Sequence, residues 1–420
     1  MKIIYFVALI ITFSIGIEKI AIDESDSIKT GADVLVEQNF APLLGRNIGI
    51  ITNHTATSGD RHIADLLHES EDINVIYLFG PEHGIRGDAR GRIDDEVDEI
   101  TGLPVHSLYG DVRKPTPEML EGIDMLVFDI QDIGPRFYTY ISTMGMAMEA
   151  AAENDISFMV LDRPNPLGGE LIEGFVREDG FESFVGYFPI PVTHGLTIGE
   201  LALMAKEEGM LEGVEDLDLH IVEMENWNRS TLWPDLELEW NPPSPNIPNF
   251  EVALVYPGAC FFEGTNISEG RGTMDPFILI GSPWGDAGEL AEDLNSRNLP
   301  GLHFEPAVFT PESITYRGMA ASPKLEGVEL QGIRHVITDK YAVRPVETGI
   351  HLLHTFYHHT PEDEKSEFFG ERKDYLDLLA ATDKLHDMIV NGFSPEDIIA
   401  EWSDDLQAYD VLRKNYYLYD

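Results

Sequence analysis

The segment MLVFDIQD, residues 125–132, decides how this chain folds. Met125–Ile130 is apolar except for one aspartate and lacks the alternation of a half-exposed strand. It therefore predicts a strand that is buried on both faces. Three other segments have the same character. They are Asn47–Thr52, Asn74–Phe79 and Ser157–Leu161.

Candidate helices lie between these strands, at Ile63–Glu69, Pro117–Glu121 and Thr143–Asn154. Strands that alternate with helices in this order are typical of a parallel sheet with helices on both faces. The sequence therefore predicts an α/β fold whose first domain is a doubly wound parallel sheet.

Polar residues follow each of the four strands, and in such sheets ligands bind beyond the carboxyl ends of the strands. The four motifs are Asn53-His54, PEHG (81–84), Gln131-Asp132 and DRPNP (162–166). This placement predicts a binding site at one edge of the sheet, with Asn53 and Asn165 among the candidate substrate-binding residues.

The segment NPPSPNIP, residues 241–248, indicates a change of domain, because its prolines remove backbone donors and prevent regular structure. We expect a first domain over residues 30–245 and a smaller α/β domain over residues 246–420. The expected strands of the second domain are Val252–Tyr256, Phe277–Gly281 and Gly332–Thr338. Its expected helices are Asp286–Leu294, Thr348–Tyr357, Leu376–Ile389 and Ile398–Trp402, the last preceded by a capping box of Ser394 and Asp397.

The composition excludes several classes of protein. The 420 residues include 75 Asp or Glu against 28 Lys or Arg, a net charge of -47. A surface this negative repels nucleic acid and anionic lipid, so neither is an expected partner. The hydrophobic fraction of 43% excludes a disordered polyanion. The single cysteine, Cys260, excludes an intramolecular disulfide and a cysteine-rich metal site.

The carboxylates are spread along the chain instead of forming one tail. A dispersed acidic surface keeps a protein hydrated in concentrated salt, where screening weakens the repulsion between its own charges. We expect a salt-adapted source, marine or halophilic. An ordinary acidic protein is the alternative.

The N-terminus predicts export. Met1 and Lys2 precede the apolar run Ile3–Ile17, which has the shape of a secretory signal peptide over residues 1–20 and is short for a membrane-spanning helix. An uncleaved anchor is the alternative. We expect an exported protein, periplasmic or secreted, with no other membrane segment.

The turn GPEHG, residues 80–84, places a carboxylate and an imidazole directly after a buried strand. In a functional interpretation Glu82 is a general acid or base, and His83 orients it or binds a substrate hydroxyl. The alternative is a turn that carries two solvated polar residues. The position at a strand end favours function.

The segment DIQDIGPRFYTY, residues 129–140, suits a polar ligand such as a sugar. Asp132 is a candidate catalytic acid. Arg136 either pairs with Asp132 or binds a substrate carboxylate. Tyr138 and Tyr140 more often pack than react, although either phenol could bind a substrate.

The loop FEGTNISEGRGT, residues 262–273, has glycines but lacks the spacing and the lysine of a phosphate-binding loop. Two acids and one arginine fit an otherwise neutral ligand that bears one carboxylate, with the guanidinium of Arg271 as the partner of that carboxylate. Glu269 is a further catalytic candidate, and Asn266 a binding candidate. The alternative is an Asx-rich loop with internal ion pairs.

The remaining histidines give no metal site. The pairs His351/His354 and His358/His359 have no evident third ligand, so a solvated or half-buried helix face is the better interpretation, and we expect no metal or cofactor. His194, within PVTHG, is a candidate for the site. Cys260 is expected in the core. The chain lacks the G-x-S-x-G and G-x-G-x-x-G motifs of serine hydrolases and dinucleotide-binding enzymes.

Six of these segments together resemble one family. They are FGPEHGIRG (79–87), DIQDIGPRFYTY (129–140), DRPNPLGG (162–169), HGLTIGELA (194–202), PSPNIP (243–248) and YPGACFFEGTNISEGRGT (256–273). The chain is similar, from about residue 30 to its end, to the DUF1343 family. The characterised members of that family are exo-β-N-acetylmuramidases of the NamZ type, glycoside hydrolase family 171.

The resemblance implies a Rossmann-like first domain, a smaller α/β second domain and a cleft between them. It implies release of terminal N-acetylmuramic acid from peptidoglycan fragments, with Glu82 as the catalytic acid. Its partner is left open among Asp132, Glu269, Tyr138 and the acetamido group of the substrate. Arg271 or Arg136 would suit the lactyl carboxylate of muramic acid.

Two other functions remain as alternatives. A periplasmic binding protein for muropeptides would use the same cleft without chemistry. A metal-dependent hydrolase would be sensitive to chelators, for which the spacing of possible ligands gives little reason.

Overall fold

The computed structural model describes residues 27–87, 96–313 and 322–420. The expected signal peptide, residues 1–20, lies outside these ranges. Within them, no helix has the length and apolar character needed to cross a membrane.

Among the described residues the strands are β1 (Asn47–Thr52), β2 (Thr57–Ser58), β3 (Arg61–His62), β4 (Asn74–Gly80), β5 (Glu96–Val97), β6 (Pro104–Ser107), β7 (Met125–Asp129), β8 (Ser157–Leu161), β9 (Leu219–Val222), β10 (Leu279–Ser282), β11 (Leu302–Phe309) and β12 (Leu330–Ile337). The α-helices are α1 (Gly31–Glu37), α2 (Ile63–Glu69), α3 (Tyr140–Glu153), α4 (Ile198–Glu207), α5 (Phe250–Ala259), α6 (Ala287–Ser296), α7 (Pro345–His359), α8 (Lys365–Phe369), α9 (Lys373–Ala380), α10 (Lys384–Val390), α11 (Pro395–Ala400) and α12 (Ser403–Arg413).

The main sheet of the described chain has seven strands in the order β5-β6-β4-β1-β7-β8-β9. Neighbouring strands run parallel except for the short edge pair of β5 and β6. β1 and β8 have the predicted bounds, β4 ends one residue later than predicted, and β7 ends one residue earlier. The predicted parallel α/β sheet is therefore confirmed.

Both faces of this sheet are covered. Ile48 and Ile50 pack with residues of α1 and α2 in one apolar cluster. Ile51, which points to the opposite face, packs with residues of α3 and α4 in another. All three side chains are completely buried. Burial on two faces explains why the strands show no polar alternation in the sequence.

The helices of the first domain match the predictions in part. α2 has the predicted bounds, and α3 begins three residues before the predicted start. The predicted helix at Pro117–Glu121 is wrong, because residues 117–122 form turns. About one helical turn is too short to offset the cost of helix nucleation. α4, which was not predicted, begins at a capping box of Thr197 and Glu200.

The second half contains a three-stranded antiparallel sheet in the order β10-β12-β11. The strands predicted at Phe277–Gly281 and Gly332–Thr338 are present but begin two residues away from the predicted positions. The strand predicted at Val252–Tyr256 is wrong, since these residues lie in α5. Every residue of α5 except Glu251 is buried. The helix therefore lacks the polar face that separates a helix from a buried strand in a sequence.

The C-terminal helices are present with one interruption. Ala381, with a left-handed φ of 59°, separates α9 from α10 where one helix was predicted over Leu376–Ile389. The predicted capping box is confirmed. The Ser394 hydroxyl accepts a hydrogen bond from the Asp397 amide at 3.2 Å, and the Asp397 carboxylate accepts one from the Ser394 amide.

Arg136 connects the two halves of the structure. Its guanidinium is completely buried and donates hydrogen bonds to the carbonyl oxygens of Phe175, Ile190 and Leu379, at 2.7–2.8 Å. Leu379 belongs to α9, so one side chain joins the first domain to a helix of the second. The described contacts of Arg136 are therefore structural, and they include no ion pair with Asp132.

Glu173 makes a second connection between the halves. Its carboxylate accepts a hydrogen bond from the Val346 amide, 2.8 Å away, in the first turn of α7. Burial raises the pKa of Glu173 to about 8, and the nearby charge of Glu347 adds to the shift. The favourable contact with the helix N-terminus does not fully offset the cost of burying the charge.

Substitution Glu173→Gln should remove a loss of stability at high pH. The folded state holds the Glu173 proton up to about pH 8, whereas the unfolded chain releases it near the ordinary pKa of a glutamate. The native state therefore loses stability as the pH rises from that ordinary pKa to about 8. Glutamine cannot ionise, and its side-chain oxygen can still accept from Val346. We expect the variant to gain at least about 2 °C in Tm over the natural chain at pH 8 and little at pH 4.5.

The matched control is Glu178→Gln, which removes a carboxylate that pairs with Lys384 at the surface. Differential scanning calorimetry across this pH range measures both variants. If the variant Glu173→Gln differs from the natural chain by the same Tm at both pH values, Glu173 does not titrate between them and the prediction is wrong.

Candidate active site

A cavity of about 320 Å³ opens at the carboxyl edge of the main sheet, where the second domain packs against it. This volume lies at the lower end of the range for small-ligand sites. The residues that line it are Glu82, His83, Tyr109, Arg113, Phe137, Tyr138, Thr139, Tyr140, Phe184, Val185, Ser244, Asn246, Ile247, Tyr256, Cys260, Glu263, Arg271, Phe277, Tyr375 and Leu379.

Glu82 and His83 enter the cavity from a tight turn after β4. His83 and Gly84 both have a φ of 72°, and the Gly84 amide donates to the Pro81 carbonyl at 3.0 Å. The Glu82 carboxylate accepts a hydrogen bond from the Tyr109 hydroxyl at 2.9 Å. Burial and the charge of Glu82 raise the pKa of Tyr109 to about 12, so the phenol stays protonated and donates.

Aromatic rings form one wall of the cavity. The Tyr138 ring lies 5.1 Å from that of Tyr140 and 6.0 Å from that of Tyr256, each in an edge-to-face arrangement. The Tyr256 ring lies 4.8 Å from that of Phe277. Such a wall holds its shape because each ring is fixed by the next. It places aromatic rings in the same cavity as the polar groups of Glu82 and Glu263.

The segment predicted to separate the domains forms another wall. The Tyr140 hydroxyl donates to the Pro243 carbonyl at 2.7 Å. The His54 ring contacts the Pro242 carbonyl at 2.8 Å, and the Asn241 side chain donates to the His54 carbonyl at 2.8 Å. The proline-rich segment is therefore fixed across the ends of the strands instead of acting as a loose linker.

Glu263 is a second carboxylate in the same cavity. Its side chain forms an ion pair with Arg271 at 2.7 Å, and the Cys260 thiol lies 3.8 Å from it. Burial raises the pKa of Glu263, and the positive charge of Arg271 opposes that shift. Burial also raises the pKa of the Cys260 thiol, and the charge of Glu263 adds to this effect.

An adjoining cavity of about 300 Å³ shares Asn246, Glu263, Arg271 and Tyr375 with the first. Glu269 lines only this second cavity and forms an ion pair with Lys324 at 2.7 Å. The Lys324 ammonium also donates to backbone carbonyls of residues 262, 265 and 267. Glu269 is therefore neutralised by a lysine from outside its loop. The ion pair within the loop, which the alternative interpretation expects, is that of Glu263 with Arg271.

Five of the twelve predicted site residues line the first cavity. They are Glu82, His83, Tyr138, Tyr140 and Arg271. The structure does not bring the other seven to its wall. Asn165 and Asn266 bond to the backbone of Leu167, Leu196 and Glu367. Both therefore hold loops in place.

The predicted residues Asn53, Asp132 and His194 lie buried behind the wall. The Asn53 side-chain oxygen accepts from the Thr55 amide at 3.0 Å. Asp132 accepts from the Gly134 amide at 2.7 Å, and its carboxylate lies 3.8 Å from the His194 ring. The contact of Asp132 holds the loop that leads to Tyr138 and Tyr140, and the contact of Asn53 holds the turn after β1.

Several cavity residues were not among the predictions. Tyr109 and Arg113 follow β6, whose four residues are too short a run to give a strand signal. Tyr375 comes from α9, far along the chain. Glu263 is one of the two acids of the loop at residues 262–273, but it was not among the predicted site residues. The two apolar residues before it, 261 and 262, are the feature of the sequence that indicates its burial.

The comparisons with known proteins agree with this architecture. The family described as Exo-beta-N-acetylmuramidase NamZ, N-terminal, matches residues 48–251, and its C-terminal counterpart matches residues 254–419. Together they cover most of the chain. The chain belongs to the NamZ family.

A NamZ relative, the peptidoglycan beta-N-acetylmuramidase NamZ of Bacillus subtilis (strain 168), is 45% identical over 395 residues. The match covers 93% of this chain and 91% of that protein. Two crystal structures of DUF1343 family proteins from Bacteroides fragilis NCTC 9343 have the same fold. Their TM-scores are 0.87 and 0.75 and their identities 41% and 33%, and the matches cover 94% of this chain and at least 99% of theirs.

Substitution Glu263→Gln should accelerate alkylation of Cys260. The raised pKa of this thiol leaves little thiolate, so we expect the folded protein to react with iodoacetamide at pH 8 at least about tenfold more slowly than the unfolded chain. Removing the neighbouring negative charge lowers the thiol pKa and should raise the rate about two- to tenfold. Intact mass measures the rate directly, because the chain has one cysteine.

The control variant is Glu251→Gln, which neutralises the one exposed residue of α5. It should leave the alkylation rate unchanged. Equal rates in the two variants would show that Glu263 does not act on the thiol.

Proposed function

We propose that this protein is an exo-acting glycoside hydrolase that releases terminal β-linked N-acetylmuramic acid from peptidoglycan fragments. The observation that carries the proposal is a pair of carboxylates, Glu82 and Glu263, in one aromatic-walled cavity. Both domains belong to the NamZ family, and the relative from Bacillus subtilis is described as a peptidoglycan muramidase.

Two carboxyl groups are what most glycosidases use to break a glycosidic bond. We assign proton transfer at the glycosidic oxygen to Glu82, which the turn and Tyr109 hold in the cavity. We assign to Glu263 the negative charge that stabilises the positively charged, oxocarbenium-like sugar in the transition state. Its contact with Arg271 favours the ionised form that this role requires.

The other cavity residues suit a sugar ring. Tyr138 and Tyr140 line the cavity with aromatic rings, which suit the apolar surface of a sugar, and His83 lies beside Glu82, where it can bind a hydroxyl. Asp132 and Glu269, the earlier candidates for the partner of Glu82, have roles that follow from their contacts. Asp132 supports the loop behind the Tyr138 wall, and Glu269 neutralises Lys324.

Substitution Glu82→Gln tests the function. Glutamine has nearly the shape of glutamate but cannot transfer a proton, so kcat on a chromogenic β-N-acetylmuramide should fall by about 10²–10⁴-fold. Binding of free N-acetylmuramic acid, measured by calorimetry, should change little. The control is Glu170→Gln at an exposed position, which should keep full activity.

The binding-protein alternative predicts a different result. The natural protein would then bind N-acetylmuramic acid and release no product from the muramide, with or without added salt. Full activity in the Glu82→Gln variant would instead keep the enzyme and overturn the assignment of Glu82.

We further infer that the protein is exported and suited to concentrated salt. The leader-like residues 1–20 support export, and so does a substrate that lies outside the cytoplasm. The net charge of -47 supports adaptation to salt. Expression in a Gram-negative host should place the full chain in the periplasm and a chain that starts at residue 21 in the cytoplasm. The same location for both chains would contradict export.

The purified protein should unfold at higher temperature in 2 M KCl than in 0.1 M KCl. The same Tm at both KCl concentrations would contradict adaptation to salt.

A further inference from the structure

Two arginines line the cavity, and their charges are used differently. Arg271 forms an ion pair with Glu263 at 2.7 Å and also lies in the field of Glu269. Arg113 has no carboxylate within ion-pair distance among the residues that the structure describes. The cavity therefore presents one guanidinium that is already neutralised and one that is available to a ligand.

We propose that Arg113 binds the carboxylate of the lactyl ether that distinguishes N-acetylmuramic acid from N-acetylglucosamine. This assignment rests on the proposed function and replaces the two arginines that the sequence suggested. Arg136 is buried against three backbone carbonyls, and Arg271 is committed to Glu263. Arg113 was not a sequence candidate, because it lies outside the segments that resemble the family.

The guanidinium of Arg113 is held by a cation–π contact. Its central carbon lies 4.2 Å from the centroid of the Phe184 ring, which also lines the cavity. The backbone carbonyl of Phe184 accepts a hydrogen bond from Ser142 of α3 at 2.7 Å, so the segment that carries the ring is fixed. A guanidinium held by a ring and not by a carboxylate keeps its N–H groups for the two oxygens of a ligand carboxylate.

Arg113 also lies on the side of the cavity where the chemistry is proposed. It is four residues from Tyr109, the donor to Glu82, and its positive charge lowers the pKa of Tyr109 against the effect of burial. A sugar whose glycosidic oxygen, on C1, meets Glu82 carries its lactyl ether on C3 of the same ring and can extend it toward Arg113. The two contacts would fix the sugar at two ring positions separated by C2.

The charge of the cavity makes such a partner necessary. Glu82 and Glu263 line it, and the whole chain carries a net charge of -47. An anionic substrate is repelled by this field unless a cation without a partner faces its carboxylate. A neutral sugar has no such need. Arg113 would therefore select the acidic sugar over its neutral counterpart and also hold it in place.

The experiment compares a chromogenic β-N-acetylmuramide with its lactyl methyl ester, which has the same shape without the charge. The Arg113→Gln variant should lose about 10–100-fold in kcat/KM on the acid, the range for a charge-assisted hydrogen bond, and less than about threefold on the ester. Arg113→Lys should recover part of the loss, because it restores the charge without the planar fork.

Two controls separate recognition from structural damage. Arg271→Gln should weaken both substrates alike, since it removes the partner of Glu263 rather than a contact with the lactyl group. Arg61→Gln, which removes a surface ion pair with Glu69, should change neither. Equal losses on the acid and the ester in Arg113→Gln, or no loss on either, would overturn the proposal.

The test also distinguishes this proposal from the proposed function. Hydrolysis of the muramide by the natural protein establishes the activity before any variant is compared. If the natural protein binds N-acetylmuramic acid without hydrolysis, the function fails, and the same comparison is made with the dissociation constants of the free acid and its methyl ester. A loss confined to the acid would then still support Arg113 as the carboxylate receptor, and its absence would refute it.

Discussion

The parallel pairing of β1 with β4 on one side and β7 on the other is the constraint on which the site depends. The register places Ile51 beside Phe79 of β4 and Phe128 of β7, so all three strands end at one edge. The chain must leave each strand there through a polar loop, because the strands are buried on both faces. Glu82 comes from one of these loops and Tyr138 from another. Their meeting is a consequence of strand register, although they lie far apart in the sequence.

Buried hydrogen bonds then hold the second domain over this edge. Arg136 donates to a carbonyl of α9, Glu173 accepts from the first turn of α7, and Tyr140 donates to Pro243. Each of these hydrogen bonds satisfies a backbone group that would otherwise be buried without a partner. The close contact of Gly258 with Gly349 brings α5 against α7, and a side-chain carbon at Gly258 would lie 1.9 Å from a backbone oxygen. The cavity walls from the second domain are positioned by these contacts.

Charge balance divides the polar residues of the region into two groups. The pairs Asp129–Arg163 and Glu269–Lys324 are buried and mutually compensated, and they hold the loops in place. Glu82 is held by a neutral phenol, and Arg113 by an aromatic ring. Groups held without an opposite charge remain able to act on a substrate. This difference separates Glu82 and Arg113 from the structural pairs. Glu263, which lines the cavity although it is paired with Arg271, is the exception.

The sequence by itself determined the α/β class, the four central strands to within one residue, and the family, because buried parallel strands and long polar motifs are local patterns. It also indicated Glu82, since a carboxylate on a glycine- and proline-bounded turn after a strand is a local feature. It could not separate Arg136 or Asn165 from ligand-binding residues, because their partners are backbone carbonyls supplied by distant segments. The helix α5 was mistaken for a strand because burial on all sides removes its periodicity. The pairing of Glu263 with Arg271, and the position of Arg113 over Phe184, were decided only by the tertiary structure. The available charge of a side chain depends on which partners the fold brings within a few ångströms, and that is not encoded in its neighbours along the chain.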